Sequence, residues 1–272
     1  MKPYADLHMH STYSDGVLTP REIVSCAHES GIAHIAITDH DCLGGSAAGC
    51  ELAEALGIEV VPGVEITTQL DGRDIHLLGY FVDPNTAVLD DLFAETHAAR
   101  ELRALEMADL LHQAGFPVDA DSLKDSGATV NRSLLARTLV SGGIATSIND
   151  AFTRFLGEDS PYYVDVEYAS TIEAIRLVKE AGGYPFIAHP AHYHVVDLIP
   201  ALSKEGLFGL EAYHTLQTAE ESLELVELAS ELGLAVSGGS DWHGDDAHGA
   251  YLGSAGLDAR DFDRFMTACG RQ

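Results

Sequence analysis

Histidines and carboxylates recur in short clusters along this 272-residue chain, which holds 14 histidines. His8-Met9-His10 is the first cluster and closes an apolar run that reads as a strand from Tyr4 to His10. Side chains on a strand alternate between faces, so His8 and His10 point the same way, and Asp6 shares their parity and is placed to orient one of them. Two imidazoles at a strand end make a poor core and a good pair of metal ligands. Asp15 follows in the loop Ser14-Asp15-Gly16, and Asp39-His40-Asp41 closes the next apolar run. Glu65 lies inside the apolar stretch PGVEIT, where a carboxylate is costly unless it is paired or bound to a cation. His76 sits in RDIHLLGY, His189 ends PFIAH before Pro190, and Asp241 and His243 in GGSDWHG repeat the i, i+2 spacing of the first pair. These nine residues exceed what one ion uses, so two or three ions are expected, with Glu65 as a natural bridge. A mixed imidazole and carboxylate set without cysteine suits Mn²⁺, Fe²⁺ or Zn²⁺.

The elements that must position them alternate. Thr19-Pro20-Arg21-Glu22 predicts a helix start, with Thr19 as N-cap and Pro20 in the first turn, running to about Glu29 and stopping at Gly31. Ala33 to Thr38 reads as a strand and Gly44 to Leu56 as a helix. A third strand starts at Ile58, is interrupted at Pro62-Gly63 and continues through Thr67. Asp71-Gly72 then predicts a hairpin turn before a strand from Ile75 to Val82. Residues 84–161 change texture to helical periodicity, with Leu92, Leu102, Leu105, Leu110 and Leu111 as candidate core positions of a helix over 89–114. Alternation resumes with helices at 171–181, 196–203, 218–232 and 261–269 and strands at 184–188, 207–212 and 234–237. Repeated βα units imply a parallel sheet, and about seven of them a closed or nearly closed barrel, whose C-terminal strand ends converge on one rim. The expected organisation is therefore an α/β barrel over 1–83 and 162–272 with an inserted helical cap subdomain over 84–161.

Composition narrows the function. Lys+Arg total 15 against Asp+Glu 43, a net charge of −28, which argues against long nucleic acid and membrane surfaces as partners because both are anionic. No apolar run approaches the roughly 18 residues of a membrane span, and the N-terminus lacks a signal-peptide pattern. The four cysteines, Cys26, Cys42, Cys50 and Cys269, form no CxxC pair, which points to a reducing cytoplasm.

Taken together, DLHMHSTYSDG, ITDHD, PGVEI, IAHP and GGSDWHG, in that order, resemble the PHP (polymerase and histidinol phosphatase) family over the chain outside the insert. The resemblance implies a distorted (β/α)7 TIM-like barrel, a trinuclear metal centre and phosphoester hydrolysis. It implies that His8, His10, Glu65 and Asp241 hold one ion, that Glu65, His76 and His189 hold a second, and that Asp15, His40 and His243 hold a third. Two or three divalent ions are expected, Mn²⁺ ahead of Fe²⁺ or Zn²⁺. The helical insert and the length resemble the stand-alone bacterial branch, which contains 3′,5′-nucleoside bisphosphate phosphatases and a 5′→3′ exoribonuclease.

Basic residues concentrate in the insert. Arg100 and Arg103 are three apart, hence on one helix face. Arg132 and Arg137 lie in VNRSLLARTLV, which resembles a GRPHIAR-like motif of that branch with Ser133 and Leu134 replacing its Pro and His. Arginine forks suit phosphate oxygens. The expectation is that the insert caps the barrel mouth and that Arg103 and Arg132, with Arg100 and Arg137 beside them, grip a non-reacting phosphate. His194 and His192 are the candidates for protonating a leaving oxygen, His214 is a further candidate near a strand end, and Tyr193 and Phe155 are candidate rings for stacking a base. His28, His34, His97 and His112 are read as non-catalytic. The expected reaction is release of the 3′-phosphate of a nucleoside 3′,5′-bisphosphate. The rivals are exonucleolytic cleavage of short RNA, hydrolysis of histidinol phosphate, and a metal-binding module without catalysis.

Overall fold

The computed structural model describes residues 3–53, 56–125, 129–245 and 250–271. The chain divides into two compact units, Met1–Phe93 with Ala169–Gln272, and Ala94–Tyr168. The texture changes at 84 and 161 both fall N-terminal to these bounds.

The first unit is α/β. Its strands are β1 (Ala5–Asp6), β2 (His34–Ile35), β3 (Glu59–Val60), β4 (Gly63–Leu70), β5 (Arg73–Tyr80), β6 (Tyr184–Ile187), β7 (Gly209–His214) and β8 (Ala235–Gly239). Its helices are α1 (Pro20–Ser30), α2 (Gly44–Ala53), the start of α3 (Asp90–Gln113), α7 (Thr171–Glu180), α8 (Ile199–Lys204), α9 (Ala219–Leu232) and α10 (Ala259–Ala268). The predicted last turn of the second helix, through Glu54 and Ala55, lies outside the described residues. β1, β2 and β3 form a parallel three-stranded sheet, and β4 to β8 a second sheet in sequence order. In the second sheet β4–β5 and β5–β6 are antiparallel, while β6–β7 and β7–β8 are parallel. Isolated parallel bridges join Met9 to Trp242 and His40 to Glu65. This α/β topology of two ladders joined by isolated bridges is consistent with a TIM-like fold, with β4–β5–β6 antiparallel where repeated βα units predict parallel strands.

Local chemistry sets the ends. Thr19 and Glu22 form a reciprocal capping box at α1, and Thr218 and Glu221 repeat it at α9, each pair satisfying two otherwise orphaned N–H groups. Gly31 and Gly233 close those helices at φ 69° and 70°, the left-handed region that suits glycine. Asp71 and Gly72, both at positive φ, make the two-residue turn that fixes the β4–β5 register.

β1 is shorter than the Tyr4–His10 run predicts. Beyond Asp6 the backbone leaves the regular ladder. The Leu7 N–H donates to the Gly238 carbonyl, the His8 carbonyl accepts from Asp241, the Met9 carbonyl accepts from Thr38, and the His10 N–H donates to Trp242. Those bonds go to segments at the ends of β2 and β8, so residues 7–10 are held between both without belonging to one ladder.

Both faces of the second sheet are covered. Val64, Ile66, Ile75 and Leu77 pack with Ala174, Ile175 and Val178 of α7, with Ile199 and Leu202 of α8, and with Leu225 and Ala229 of α9. The other cluster holds Leu7, Leu78, Tyr80, Phe186, Phe262 and Phe265, with the Tyr80 hydroxyl donating to the Leu7 carbonyl at 3.0 Å.

The second unit is helical: the rest of α3, α4 (Ala120–Asp125), α5 (Arg132–Ser141), α6 (Ile148–Ala151) and a π-helical turn at Phe152–Leu156. Its core is Met107, Ala108, Leu111, Leu135, Leu139, Phe155 and Leu156. Two of the expected α3 core positions are corrected: Leu102 is 53% exposed and Leu110 36%. The buried stripe runs Ala104, Met107, Ala108, Leu111, the i, i+3, i+4, i+7 pattern, and Leu102 and Leu110 lie off it. Phe155 is 3% exposed within this core, so it is packing and not a ring for a substrate base.

Leu111→Ala is expected to destabilise the protein by about 2–5 kcal/mol, and Leu102→Ala to change stability by less than about 0.5 kcal/mol. Urea unfolding followed by circular dichroism measures both; equal effects would contradict this assignment of the α3 faces.

Candidate metal centre

Each ligand-type side chain is carried by a strand or the loop after it. His8 and His10 lie on the extended segment after β1, with ring centroids 5.3 Å apart. Beneath His8 runs Gly239 of β8, where an added Cβ would fall 2.3 Å from the His8 Cβ, so only glycine lets the backbone approach. The β4–β5 register pairs Glu65 with Leu78 and Thr67 with His76, which puts Glu65 and His76 on one face as diagonal neighbours. His189 and Asp241 follow β6 and β8 at φ 29° and 57°, backbone strain at the positions that aim their side chains.

Buried carboxylates hold this frame. Asp39 accepts from the Ser11 N–H, the Ser11 hydroxyl and the Ser14 hydroxyl, each at 2.7 Å, fixing the loop that carries Asp15. Asp41 accepts from the Thr67 N–H and hydroxyl at 2.8 and 2.9 Å, tying the segment after β2 to β4 beside Glu65. Asp6 does not orient an imidazole, as its parity suggests. Its carboxylate accepts from the backbone N–H groups of Ser240, Gly253 and His8, at 2.9, 2.8 and 3.5 Å, and burial raises its pKa to about 6 against these bonds. The carboxylate that meets His8 Nδ1 is Glu211, whose Oε1 lies 3.0 Å away. Sequence reading passed over Glu211, although an acid inside the apolar strand GLEAYH is the same signal that singles out Glu65.

Glu65, 1% exposed, is the hub. Its Oε2 lies 3.1 Å from His10 Nε2, 3.2 Å from His8 Nε2 and 3.3 Å from His40 Nδ1. Its Oε1 lies 2.9 Å from His76 Nδ1 and 3.0 Å from His189 Nε2. Asp241 Oδ1 is 3.0 Å from His10 Nε2, and Asp15 Oδ1 is 3.4 Å from His243 Nε2 and 3.7 Å from His10 Nδ1. All nine sequence-selected residues are thus brought into one cluster. His8, His10, Glu65 and Asp241 converge in one group, His40, Glu65 and His76 in a second, and His10, Asp15, His40 and His243 in a third, each with ligand atoms within 4.8 Å of one another. His189 joins through Glu65.

The donor set fits divalent cations. His8 Nε2, His10 Nε2 and Glu65 Oε2 are buried and close together, yet none makes a hydrogen bond among the described residues. Buried donor atoms that converge on one point are what a cation requires, and leaving them unsatisfied would be costly. Without a cation the titrating groups balance one another. Burial opposes a charge on His10, but the Asp241 and Glu65 carboxylates outweigh it and carry its pKa up to about 10. Burial also opposes a charge on Glu65, and the His40, His8 and His76 imidazoles hold it well below the usual carboxylate range. At His189 burial wins and lowers the pKa to about 4, with Glu65 opposing.

The other candidates separate. His192, Tyr193 and His194 are on the exposed turn after His189. The Tyr193 ring lies 4.9 Å from the His189 ring and 5.2 Å from the His76 ring, and the His192 ring lies 6.3 Å from that of His189. Burial pushes the His192 imidazole below its ordinary pKa. His194 borders a cavity of about 410 Å³ that Leu225, Leu228 and Glu221 of α9 also line. Its carbonyl accepts from Arg73, which is paired through both terminal nitrogens with Asp197. His214 is 4% exposed and faces Asp241. In the helical unit Arg103 is 4% exposed, with its guanidinium 5.3 Å from the Tyr168 ring centre. Arg132 donates to the Leu156 carbonyl and lies 5.8 and 5.9 Å from the Phe152 and Tyr163 rings, while Arg100 and Arg137 are half-buried.

A PHP domain profile matches residues 6–233. The chain is 37% identical over 244 residues to a 5′-3′ exoribonuclease from Haemophilus influenzae, covering 88% of this chain and 89% of that protein. It is 33% identical over 245 residues to a phosphoribosyl 1,2-cyclic phosphate 1,2-diphosphodiesterase from Eggerthella lenta, covering 88% and 94%. It is 31% identical over 256 residues to a 3′,5′-nucleoside bisphosphate phosphatase from Chromobacterium violaceum, covering 91% and 90%. A crystal structure from Bifidobacterium adolescentis, described as a metal-dependent phosphoesterase, superposes with a TM-score of 0.88 at 32% identity, covering 98% of both chains.

Ion binding to the native state alone stabilises it, by about 2.7 kcal/mol at a free ion concentration a hundred times the dissociation constant. Chelated protein is expected to regain that stability with Mn²⁺, and Glu65→Gln to lose most of the gain. Thermal denaturation with and without Mn²⁺ measures this, and an undiminished gain in the variant would remove Glu65 from the ligand set.

Proposed function

The chain belongs to the PHP domain family and is a metal-dependent phosphoesterase, and on that premise we propose that it removes the 3′-phosphate of nucleoside 3′,5′-bisphosphates, leaving a 5′-mononucleotide and inorganic phosphate. The observation that carries this reading is Arg103. Its Nε and Nη1 are buried and have no hydrogen-bond partner among the described residues. A buried guanidinium with unused donors is costly, and a phosphate dianion is the ligand its fork fits. A substrate with a second, non-reacting phosphate gives Arg103 a partner that a simple monoester does not. Arg132 is assigned the same phosphate, and Arg100 and Arg137 the electrostatic field around it. The reading takes the two sheets as one distorted (β/α)7 barrel, and the four cysteines, none in a disulfide, support a reducing, cytoplasmic setting.

Two or three divalent ions, Mn²⁺ ahead of Fe²⁺ or Zn²⁺, fit the nine-residue cluster. When bound they supply an activated water near neutral pH and offset charge on the phosphoryl oxygens. The chain's own residues do the rest. Glu65 and Asp241, flanked by His8, His10 and His40, set the spacing of the binding positions. Asp39 and Asp41 keep the loops bearing Asp15 and His40 from moving when an anionic substrate enters. His192, whose imidazole burial makes harder to charge, is assigned the hydrogen bond to the leaving 3′-oxygen, and His194 is the second candidate for that role. Tyr193, over His189 and His76, is assigned the nucleobase.

A second reading is exonucleolytic cleavage of short RNA from the 5′ end, favoured by the 37% identical exoribonuclease. The same arginines would then hold the terminal 5′-phosphate. A net charge of −28 disfavours a long RNA and leaves oligonucleotides of a few residues as the substrate of this second reading.

Phosphate release by the Mn²⁺-loaded protein is to be compared on adenosine 3′,5′-bisphosphate, AMP, histidinol phosphate and a 5′-phosphorylated RNA trinucleotide. Fast release from the bisphosphate is expected. Arg103→Ala should lower kcat/KM on it roughly 10- to 150-fold, the effect of losing about 1.5–3 kcal/mol of charge-assisted hydrogen bonding, while leaving p-nitrophenyl phosphate hydrolysis unchanged. Release of mononucleotides from the trinucleotide with the bisphosphate untouched would overturn the first reading in favour of the second.

A further inference from the structure

The β7–β8 ladder has a register break. Glu211 pairs with Ser237 but Tyr213 pairs with Gly238, so Ala212 is one extra residue on β7. A bulge of this kind re-aims the side chains that follow it. Without it, strict alternation would put Glu211 and Tyr213 on one face and His214 on the other. With it, the Tyr213 hydroxyl turns to Asp261 of α10, at 3.2 Å, while Glu211 and His214 both face the metal cluster. Neither residue is among the nine candidate ligands, and both are buried, at 0% and 4% exposure.

The two bonds of Glu211 are directional, and His214 faces Asp241 in an electrostatic contact just beyond hydrogen-bond distance. Glu211 uses both oxygens: Oε1 lies 3.0 Å from His8 Nδ1, and Oε2 accepts from the His189 backbone N–H at 2.9 Å. A carboxylate at Nδ1 requires the proton there and leaves His8 Nε2 toward Glu65 and Asp241. The second bond braces His189 at its left-handed backbone angle. His214 Nδ1 accepts from the Leu216 N–H at 3.2 Å, so in the neutral ring the proton sits on Nε2, which faces Asp241 Oδ2 at 3.6 Å. The opposite oxygen, Oδ1, is the one near His8 and His10.

We propose that the bulge at Ala212 makes β7 the positioning strand of the metal centre, with Glu211 fixing the tautomer of His8 and the backbone of His189, and His214 fixing which oxygen of Asp241 turns to the ions. This rests on the metal-dependent reading above. Partners behind metal ligands act on affinity, with losses of about 10- to 100-fold when they are removed. The two residues differ in reach, since Glu211 spans two ligands from different strands and His214 serves one.

The test uses the full chain, stripped by chelation and titrated with Mn²⁺ and Zn²⁺ by calorimetry. Glu211→Ala is expected to weaken the tightest-bound ion by about 10- to 100-fold. Should that variant not fold, Glu211→Gln carries the same comparison, because its single amide oxygen can serve His8 or the His189 N–H but not both. His214→Leu should weaken binding, and His214→Gln, which keeps an N–H donor, should restore it. With ¹⁵N-labelled histidine and Zn²⁺, the native protein should show a slowly exchanging His8 Nδ1–H signal, identified by its loss in His8→Asn. That signal should vanish in Glu211→Ala and persist in His214→Leu. Native-like affinities in both Glu211→Ala and His214→Leu would overturn the positioning role while leaving phosphoester hydrolysis by the native protein standing. A native protein that binds neither ion would overturn the metal reading and this one with it.

Discussion

Everything in the first unit answers to one constraint: a carboxylate, Glu65, is buried at the meeting point of strands with five imidazoles around it. An isolated charge there would cost several kcal/mol, so the surroundings must supply opposite charge, and they must supply it from fixed directions. The short β1, the bridge between His40 and Glu65, the β4–β5 register and the strained angles at His189 and Asp241 all serve that arrangement. The apolar clusters on either side of the second sheet hold the strands still enough for it to persist.

Around the hub the protein uses a second set of acids that lie outside the nine-residue cluster. Asp6, Asp39 and Asp41 spend their oxygens on backbone N–H groups and hydroxyls at strand ends. Charge-assisted bonds of this kind are roughly twice as strong as neutral ones and tie these loops to their neighbours. The acidic balance of the whole chain therefore has two origins. Part of it is a solvated surface, and part is internal framing.

Much of this was legible in the sequence because the signals are local. HxH, DHD, VEI and DWH each put ligand-type residues where an apolar run ends, and Thr-Pro-Arg-Glu and Asp-Gly carry their own stop and start chemistry. What was not legible depends on contacts far apart in sequence. The parity of Asp6 suggested an imidazole partner, but its two shortest bonds come from backbone groups more than two hundred residues away. Glu211 could have been suspected from the same apolar context as Glu65, but its action on His8 needs the third dimension, and the bulge that turns His214 inward leaves no mark in GLEAYH. Leu102 and Leu110 look like core by residue type alone, and only the position of the buried α3 stripe excludes them.

The Asp6 carboxylate joins β1 to Ser240 and Gly253, and the Tyr4 and Ala5 N–H groups donate to the Leu257 carbonyl. The first strand thus lies between β2, close to it in sequence, and residues 240–257, far from it. Residues 7–10 are made more than two hundred residues before Gly238, Asp241 and Trp242, whose backbone groups seat them. Helix α1 and the β4–β5 hairpin, whose contacts are local, can form meanwhile, and high contact order delays the rest. The cluster of imidazoles is then expected to close only once residues 4–10 have met residues 238–257, so its assembly is set by contacts of high sequence separation.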